Sequence, residues 1–338
     1  MEFGPVPVAE AGGAILAHSL TIGGLRLRKG ERLGAGDLAV LAEAGMATVT
    51  VARLGPGDVA EDEAATALAA AILPDPDGAF LSRSAPFTGR ANLHATAAGL
   101  ALIDAPRVEA LNRVHPAITL ATLPPFARVA PGLLVATVKI IAYGVPRDRL
   151  EAACAAAAGA LRVAPFRLRS AGLVLTSVPG MPARLNEKGR AAVAARLDAL
   201  GIALAAVEEV AHDTQALADA LCRLPGEVLL ILTGSATSDV ADTAPEALRR
   251  AGGRVERFGM PVDPGNLLFL GDLEGRQVIG LPGSARSPVA HGADWVLERI
   301  ACGLAVTSDD IARMGVGGLL KEIPTRPQPR ERRRPASG

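Results

Sequence analysis

The feature that most constrains the fold is a continuous apolar run, Val228–Leu232, that ends abruptly in small polar residues. Such an unbroken run is typical of a strand that is covered on both faces inside an α/β sheet. Strand patterns alternate with helix patterns on both sides of this run, from residue 170 to residue 304. This alternation predicts right-handed crossovers and a mostly parallel sheet, which binds ligands at the carboxyl ends of its strands.

The chain divides into four sections of different pattern. Residues 1–80 combine glycine-rich strand patterns with two helix patterns, and residues 81–168 form a less regular mixed α/β section, with a helix predicted near residues 91–103. Residues 169–304 carry the regular alternation. Residues 305–338 form a C-terminal extension whose tail is rich in proline and arginine, and we expect that tail to be flexible.

Charge and composition exclude several classes of protein. The 35 basic and 35 acidic residues give no net charge, which excludes a global basic field for nucleic acid or anionic membranes. No apolar stretch reaches the roughly 20 residues of a spanning helix, and no signal peptide is visible. Three cysteines without CxxC spacing fit a reducing compartment. We therefore expect a cytoplasmic protein that binds neither nucleic acid nor a membrane.

Small polar residues follow the apolar run, in the loop before the next predicted helix. The loop offers hydroxyls and backbone N–H groups with little side-chain bulk, from Thr233, Gly234, Ser235, Thr237 and Ser238. A phosphate group near a helix N-terminus needs this chemistry. A plain turn rich in glycine and serine explains the loop taken alone equally well.

Asp242 stands immediately before that helix, and its carboxylate has three open roles. It could cap the helix, bind Mg²⁺, or accept a hydrogen bond from the N–H edge of a heterocycle. The next four residues, Thr243 to Glu246, read TAPE and predict a capping box with a proline in the first turn.

A second loop of the same kind covers residues 280–287 (GLPGSARS) and again joins a strand to a helix. Both loops would open on the same edge of a parallel sheet, which favours a phosphorylated ligand over two plain turns. The candidate ligand-binding residues of this loop are Leu281, Pro282, Gly283, Ser284 and Arg286. Arg286 is a candidate phosphate partner, although an exposed arginine is also a common surface residue.

Residues 82–93 (SRSAPFTGRANL) contain two arginines close to hydroxyl groups. Arg83 and Arg90 could hold an anion there, and two solvated surface arginines explain the segment equally well.

The loops of the α/β section resemble the molybdenum cofactor biosynthesis domain, which molybdopterin adenylyltransferases, molybdenum insertases and gephyrin share. Thr233-Gly234 and residues 242–247 (DTAPEA) are similar to the TGG…D-x-T-P-E-A stretch of that domain. Residues 260–266 (MPVDPGN), which include Pro264 and Gly265, resemble the MKPGKP segment of the insertases. Residues 281–284 resemble their LPGNP or LPGSP loop, and residues 24–51 resemble a segment that precedes the domain.

The resemblance implies a three-layer α/β sandwich with a mostly parallel sheet, preceded by a mixed α+β region. It implies that the chain binds molybdopterin or its molybdenum-bearing nucleotide form, with the pterin phosphate across the two loops and Mg²⁺ at Asp242 if the protein is catalytic. Because insertases are dimers, it also implies a homodimer. The chain further resembles bacterial molybdopterin-binding proteins, some of which continue into a cytidylyltransferase-like domain. A molybdopterin cytidylyltransferase-type enzyme or a molybdoenzyme is therefore an implied partner.

Several charged residues of the insertases are replaced in this chain. Asp263 and Asn266 stand in place of the MKPGKP lysines, and His212-Asp213 in place of an acidic pair after the second strand. Ser235 replaces one glycine of the TGG motif. These departures favour a binding protein or carrier that acts beside a cofactor-modifying enzyme. The alternative is an active Mg²⁺-dependent molybdotransferase or molybdopterin nucleotidyltransferase, with Asp242 as its catalytic residue.

Overall fold

The computed structural model describes residues 1–320, which form two compact units that divide between Pro165 and Phe166. The first unit contains two apolar clusters, and the second has an apolar cluster of its own. The arginine-rich tail that was predicted to be flexible begins at Pro324 and lies outside the described residues.

The first unit opens with a small α/β segment whose core includes Leu16, Leu41 and Val51. Strand β5 lies between β1 and β2 and is antiparallel to both, and β3 and β4 form a separate hairpin. The elements of this segment are β1 (Glu2–Pro7), β2 (Ile15–Leu16), β3 (Leu20–Ile22), β4 (Leu25–Leu27), α1 (Ala35–Glu43) and β5 (Thr48–Arg53).

The rest of the first unit surrounds a second apolar core, to which its strands and helices contribute. Its elements are β6 (Asp58–Ala60), α2 (Glu61–Ile72), β7 (Leu81–Arg83), β8 (Arg90–Ala95), β9 (Gly99–Ile103), α3 (Ala105–Val114), β10 (Ile118–Thr122), β11 (Arg128–Val129), β12 (Leu134–Ile140), β13 (Gly144–Pro146), α4 (Arg147–Ala156) and β14 (Leu161–Pro165). One antiparallel sheet has the order β10-β12-β8-β7, another has the order β11-β9-β14, and β13 pairs with β6.

The helix predicted near residues 91–103 is wrong, because this stretch forms strands β8 and β9. Ala91, Leu93 and Ala95 are buried, while Asn92 and His94 between them are only half-buried. This period of two is typical of a strand with one covered face. The alanines, which favour helices by propensity, concealed the alternation.

The second unit is built on one six-stranded sheet with the order β16-β15-β17-β20-β19-β18. The first four strands of that order are parallel, whereas β19 is antiparallel to both of its neighbours. The mostly parallel sheet is therefore confirmed. The elements are β15 (Ser170–Ser177), α5 (Arg184–Asp198), β16 (Ala203–Ala211), α6 (Thr214–Arg223), β17 (Val228–Leu232), α7 (Thr243–Arg250), β18 (Arg254–Phe258), β19 (Phe269–Leu273), β20 (Arg276–Leu281), α8 (Gly292–Ala301) and α9 (Ser308–Ala312).

Helices cover both faces of this sheet, which confirms the three-layer sandwich. On one face Ile231 belongs to an apolar cluster with Leu217 of α6 and Leu248 of α7. On the other face Leu232 lies against α5, where a Cβ added to Gly189 would stand 2.7 Å from the Leu232 side chain. Because neighbouring residues of β17 face opposite helix layers, the whole strand is apolar and buried.

One edge of the sheet collects most of the loops that the sequence singled out. Strands β15, β16, β17 and β20 are parallel and end at this carboxyl edge. The antiparallel β19 begins there, since Phe269 pairs with Gly280. The loops that follow Leu232 and Leu281 are therefore neighbours, because β17 and β20 are adjacent strands.

The close contact between Gly280 and Phe269 yields a stability prediction. A Cβ at Gly280 would stand 1.9 Å from the buried Phe269 ring, so Gly280→Ala should lower the free energy of unfolding by about 1–3 kcal/mol. Gly36→Ala is the matched control, because Gly36 lies in α1 with open space around its Cα. Urea denaturation should show the control unchanged or more stable by up to about 1 kcal/mol. Equal stability of Gly280→Ala and wild type would contradict the packing.

Candidate functional site

Arg286 joins the two small-residue loops at the carboxyl edge. Its Nη2 donates a hydrogen bond to the carbonyl oxygen of Thr233 over 2.8 Å. Its side chain lies against α5, where a Cβ on Gly189 would stand 3.5 Å from the Arg286 Cγ. Burial lowers the pKa of the Arg286 guanidinium, and its Nε is buried with no hydrogen-bond partner among the described residues. The predicted convergence of the two loops is therefore present in the structure.

Thr176, at the end of β15, connects three of the loops at this edge. Its buried hydroxyl accepts a hydrogen bond from the backbone N–H of Gly234 over 2.9 Å. The same oxygen lies 2.9 Å from Nδ1 of His212, in the loop after β16. A Cβ at Gly234 would stand 2.7 Å from the Thr176 carbonyl oxygen, so this position requires glycine. Sequence reasoning missed Thr176, although a threonine at the end of an apolar strand was a signal.

The loop after β17 divides into buried and exposed hydroxyls. Thr233 and Thr237 are buried, and the Thr233 hydroxyl donates to the carbonyl oxygen of Ser235 over 2.6 Å. Ser235 and Ser238 are exposed. The Thr233 hydroxyl therefore stabilises the loop, whereas the side chains of Ser235 and Ser238 are accessible at its surface.

Asp242 caps α7 with its carboxylate. One oxygen accepts a hydrogen bond from the N–H of Thr243 over 2.7 Å, and the other accepts one from the N–H of Ser238 over 2.8 Å. The predicted capping box with Thr243 as the cap is wrong, because the Asp242 carboxylate occupies that position. The hydrogen bonds from Ser238 and Thr243 hold the pKa of Asp242 below its ordinary value, and the charge of nearby His212 acts in the same direction.

The loop after β20 presents two of its small residues outward. Leu281, Pro282 and Ala285 are buried, whereas Gly283 is exposed and Ser284 is partly exposed. Gly283 and Ser284 begin a short 3₁₀ turn, Gly283–Arg286. The turn directs the Arg286 guanidinium toward the loop after β17.

Pro264 and Gly265 lie against the N-terminus of α8. The N–H of Gly292 donates to the carbonyl oxygen of Pro264 over 2.8 Å, and a Cβ on Gly265 would stand 2.8 Å from that nitrogen. Both residues are buried. Just before them, Asp263 is held by backbone hydrogen bonds to Gly318 and Leu320. A role for Pro264 and Gly265 in ligand binding stays a prediction.

A second group of polar residues that sequence reasoning missed lies at the ends of β15 and β16. Asn186, only 2% exposed, donates from Nδ2 to the Ser177 hydroxyl (2.9 Å) and to the Glu209 carboxylate (2.6 Å). The hydrogen bonds from Ser177 and Asn186 lower the pKa of Glu209. The Oδ1 atom of Asn186 is buried and has no partner among the described residues. It is an acceptor at the same edge of the sheet as the two loops.

Two further findings concern residues 1–320. Within that range no three histidine, cysteine, aspartate or glutamate side chains are grouped so that they could hold a metal ion. No helix in the same range has the length and apolar character needed to cross a membrane.

Family models match two segments of the chain. Residues 172–301 match the family described as a probable molybdopterin binding domain, and residues 5–53 match a domain of unknown function. The first match covers the section from β15 to α8 and confirms the resemblance stated for it. No curated protein matches the chain.

Solved structures with similarity to the chain include a molybdopterin biosynthesis MoeA protein from Pyrococcus horikosii. It is 14% identical, the match covers 89% of this chain and 76% of that one, and the TM-score is 0.29. A molybdenum cofactor biosynthesis protein from Pyrococcus furiosus is 10% identical, with coverage of 89% and 61% and a TM-score of 0.23. The molybdopterin biosynthesis enzyme MoaB from Thermus thermophilus is 16% identical, with coverage of 46% and 100% and a TM-score of 0.27.

The capping role of Asp242 predicts a pH-dependent loss of stability. Asp242→Ala should lower the free energy of unfolding at pH 7 by about 0.5–2 kcal/mol, because two backbone N–H groups lose their acceptor. The pKa of Asp242 is lowered by folding, so its contribution is present above the ordinary value of 3.8 and is lost as pH falls through the folded-state value. Urea denaturation should show the gap between wild type and variant closing in acid.

Asp239→Ala is the matched control for that measurement. Asp239 is exposed in the same loop and accepts one hydrogen bond, from the N–H of Ala241. A loss in Asp242→Ala no larger than that in the control, or one that does not change with pH, would contradict the capping role.

Proposed function

We propose that this chain binds molybdopterin or its nucleotide form during the biosynthesis or maturation of the molybdenum cofactor. It acts as a carrier or companion of a cofactor-modifying enzyme. The observation that carries this proposal is the hydrogen bond from Arg286 to the Thr233 carbonyl, which fixes two loops of small residues side by side. The family match of residues 172–301 supports the same ligand.

The donor set at this edge suits a phosphate ester. The exposed groups are the hydroxyls of Ser235 and Ser238 and the partly exposed hydroxyl of Ser284. Arg286 forms no ion pair within the described residues, so its charge is not neutralised by a carboxylate of the protein. An unpaired, partly buried cation beneath hydroxyl-bearing loops attracts an anion strongly, because screening by water is reduced there.

The groups that would recognise the pterin ring are acceptors. The Asn186 Oδ1 atom lacks a partner among the described residues, and a carboxylate such as Asp242 offers lone pairs beyond the two it uses for capping. A pterin carries N–H groups on its ring edge, and these can donate to amide or carboxylate oxygens. Asp242 and Asn186 are therefore the proposed partners of the ring.

The alternative function is a Mg²⁺-dependent molybdotransferase or nucleotidyltransferase, with Asp242 as the metal-holding residue. Both Asp242 oxygens accept backbone N–H groups, and no three-ligand metal group exists within residues 1–320. A Mg²⁺ ion would thus need Asp242 together with phosphate oxygens of the ligand. This donor set favours binding over catalysis.

We place the protein in the cytoplasm, with a molybdopterin cytidylyltransferase-type enzyme or a molybdoenzyme as its partner.

We also propose a homodimer. A shallow apolar groove of about 540 Å³ on the N-terminal segment supports self-association, since exposed apolar surface of this kind is often an interface. The residues that line it are Pro7, Val8, Ala9, Ala35, Leu38, Ala39, Ala42, Met46 and Ala47.

Calorimetric titration with purified molybdopterin tests the binding site. Ser284→Tyr should weaken binding at least about tenfold, because the ring would fill the space in front of the loop, and Asp242→Asn should weaken it by a similar factor. Val316→Tyr is the matched control, since Val316 is 96% exposed and lies outside both loops. Unchanged affinity in both site variants, with melting temperatures showing intact folding, would overturn the placement.

Sedimentation equilibrium tests the homodimer. We expect the mass of two chains at micromolar concentration, and Leu38→Glu should shift the equilibrium toward the monomer because it puts a charge in the apolar groove. A wild-type chain that stays monomeric at high micromolar concentration would contradict the proposal.

A further inference from the structure

The hairpin that leads into β8 has a rigid tip in the first unit. Phe87 and Arg90 exchange both backbone hydrogen bonds, at 2.9 and 3.1 Å. Thr88 and Gly89 between them have φ angles of 48° and 70°, which is typical of a type I′ turn. A Cβ on Gly89 would stand 2.6 Å from the carbonyl oxygen of Ile140, so the tip packs against β12 and requires glycine there.

The register of the sheet aligns four side chains from this tip. Phe87 pairs with Arg90, Arg90 with Lys139 of β12, and Lys139 with Thr119 of β10. Directly paired residues project from the same face of an antiparallel sheet. The opposite face of β8 carries Leu93, which is buried in the apolar core. Phe87, Arg90, Lys139 and Thr119 are called the cross-strand row below.

The cross-strand row places two cations directly opposite each other. Like charges in this position destabilise a sheet unless an anion offsets them. Within residues 1–320 neither Arg90 nor Lys139 forms an ion pair with a carboxylate. Burial raises the pKa of the Glu61 carboxyl. The positive charge of Lys139 lies close enough to Glu61 to offset part of that rise. Lys139 also donates one hydrogen bond to the carbonyl oxygen of Thr88, which orients its ammonium group.

A fixed hydrogen-bond donor stands beside the two cations. Asn92 and Thr137 pair in the next register position of the same face. The Thr137 hydroxyl donates to Oδ1 of Asn92 over 2.8 Å and accepts from Nη1 of Arg90 over 3.3 Å. Because the Asn92 oxygen is engaged, its amide nitrogen is the atom left to donate to a ligand. These groups are organised before any ligand binds.

An aromatic ring flanks the charges. The Phe87 side chain is 77% exposed, at the end of the cross-strand row. An exposed phenylalanine beside cations is a stacking platform for the ring of a phosphorylated heterocycle. Arginine and lysine, with the Asn92 amide donor beside them, match the charge and acceptor number of a phosphate group.

We propose that the cross-strand row and the neighbouring Asn92 form a nucleotide-binding site, in which Arg90, Lys139 and Asn92 bind the phosphate groups and Phe87 stacks on the base. The site lies wholly in the first unit and does not depend on the function proposed for the second. A small ligand fits better than a nucleic acid, because the cations span only two adjacent strands and the chain has no net charge.

Calorimetric titration of the full chain with CTP, ATP and inorganic pyrophosphate tests this site. We expect both nucleotides to bind at least about fivefold more tightly than pyrophosphate, because the base adds stacking. Arg90→Gln and Lys139→Gln should each weaken all three ligands roughly tenfold. Phe87→Ala should reduce nucleotide affinity to that of pyrophosphate and leave pyrophosphate unchanged.

Two controls show whether nucleotide binding belongs to the cross-strand row. Arg83→Gln removes an arginine from the same sheet, but Arg83 pairs with Leu93 and therefore projects from the opposite face. Ser284→Tyr blocks the loops of the second unit. Neither control should change the affinity for CTP, and this holds whether or not Ser284→Tyr weakens the binding of molybdopterin.

Three results would overturn the proposal. The first is the absence of saturable binding for all three ligands at millimolar concentration. The second is an equal loss of affinity in Arg83→Gln and Arg90→Gln, which would indicate that binding depends on diffuse positive charge. The third is a loss of CTP binding in Ser284→Tyr, which would assign the nucleotide to the second unit. If circular dichroism shows Arg90→Gln to be unfolded, the ligand affinities of Lys139→Gln and Phe87→Ala test the proposal instead.

Discussion

The carboxyl edge of the second unit depends on polar side chains that tie neighbouring loops to one another. The Thr176 hydroxyl holds the Gly234 N–H and contacts His212, and Arg286 holds the Thr233 carbonyl. A loop of small residues has little apolar surface of its own to bury, so these hydrogen bonds, made where water is largely excluded, determine its conformation. The protein's own contacts thereby hold the loops in one conformation, which would reduce the ordering cost of the proposed binding.

Much of the second unit could be predicted from the sequence, because its physical signals are local. A fully apolar strand needs cover on both faces, and Val228–Leu232 has it from helices on each side. The first unit was harder to predict. Residues 91–103 are rich in alanine, whose helix propensity conflicts with the alternation of buried and half-buried positions that the folded sheet imposes on β8.

The candidate site was predicted in outline only. The sequence predicts ligand-binding roles for Arg286 and Asp242, and these roles stay predictions. Both side chains also bind the backbone of the loops, which depends on tertiary contacts. Thr176 and Asn186 were missed because their polar side chains become buried and hydrogen-bonded only when distant segments meet. The pairing of Arg90 with Lys139 across two strands likewise requires a register that no local pattern specifies.

Mass spectrometry of small molecules that co-purify with the chain tests most directly whether the second unit binds molybdopterin. The chain would be expressed in cells that make the cofactor, and released pterin would be measured per chain for wild type and for Ser284→Tyr. We expect a pterin phosphate in near-stoichiometric amount with wild type and little with the variant. Absence of pterin from the wild-type chain, or equal amounts with both proteins, would contradict a binding site at the two loops.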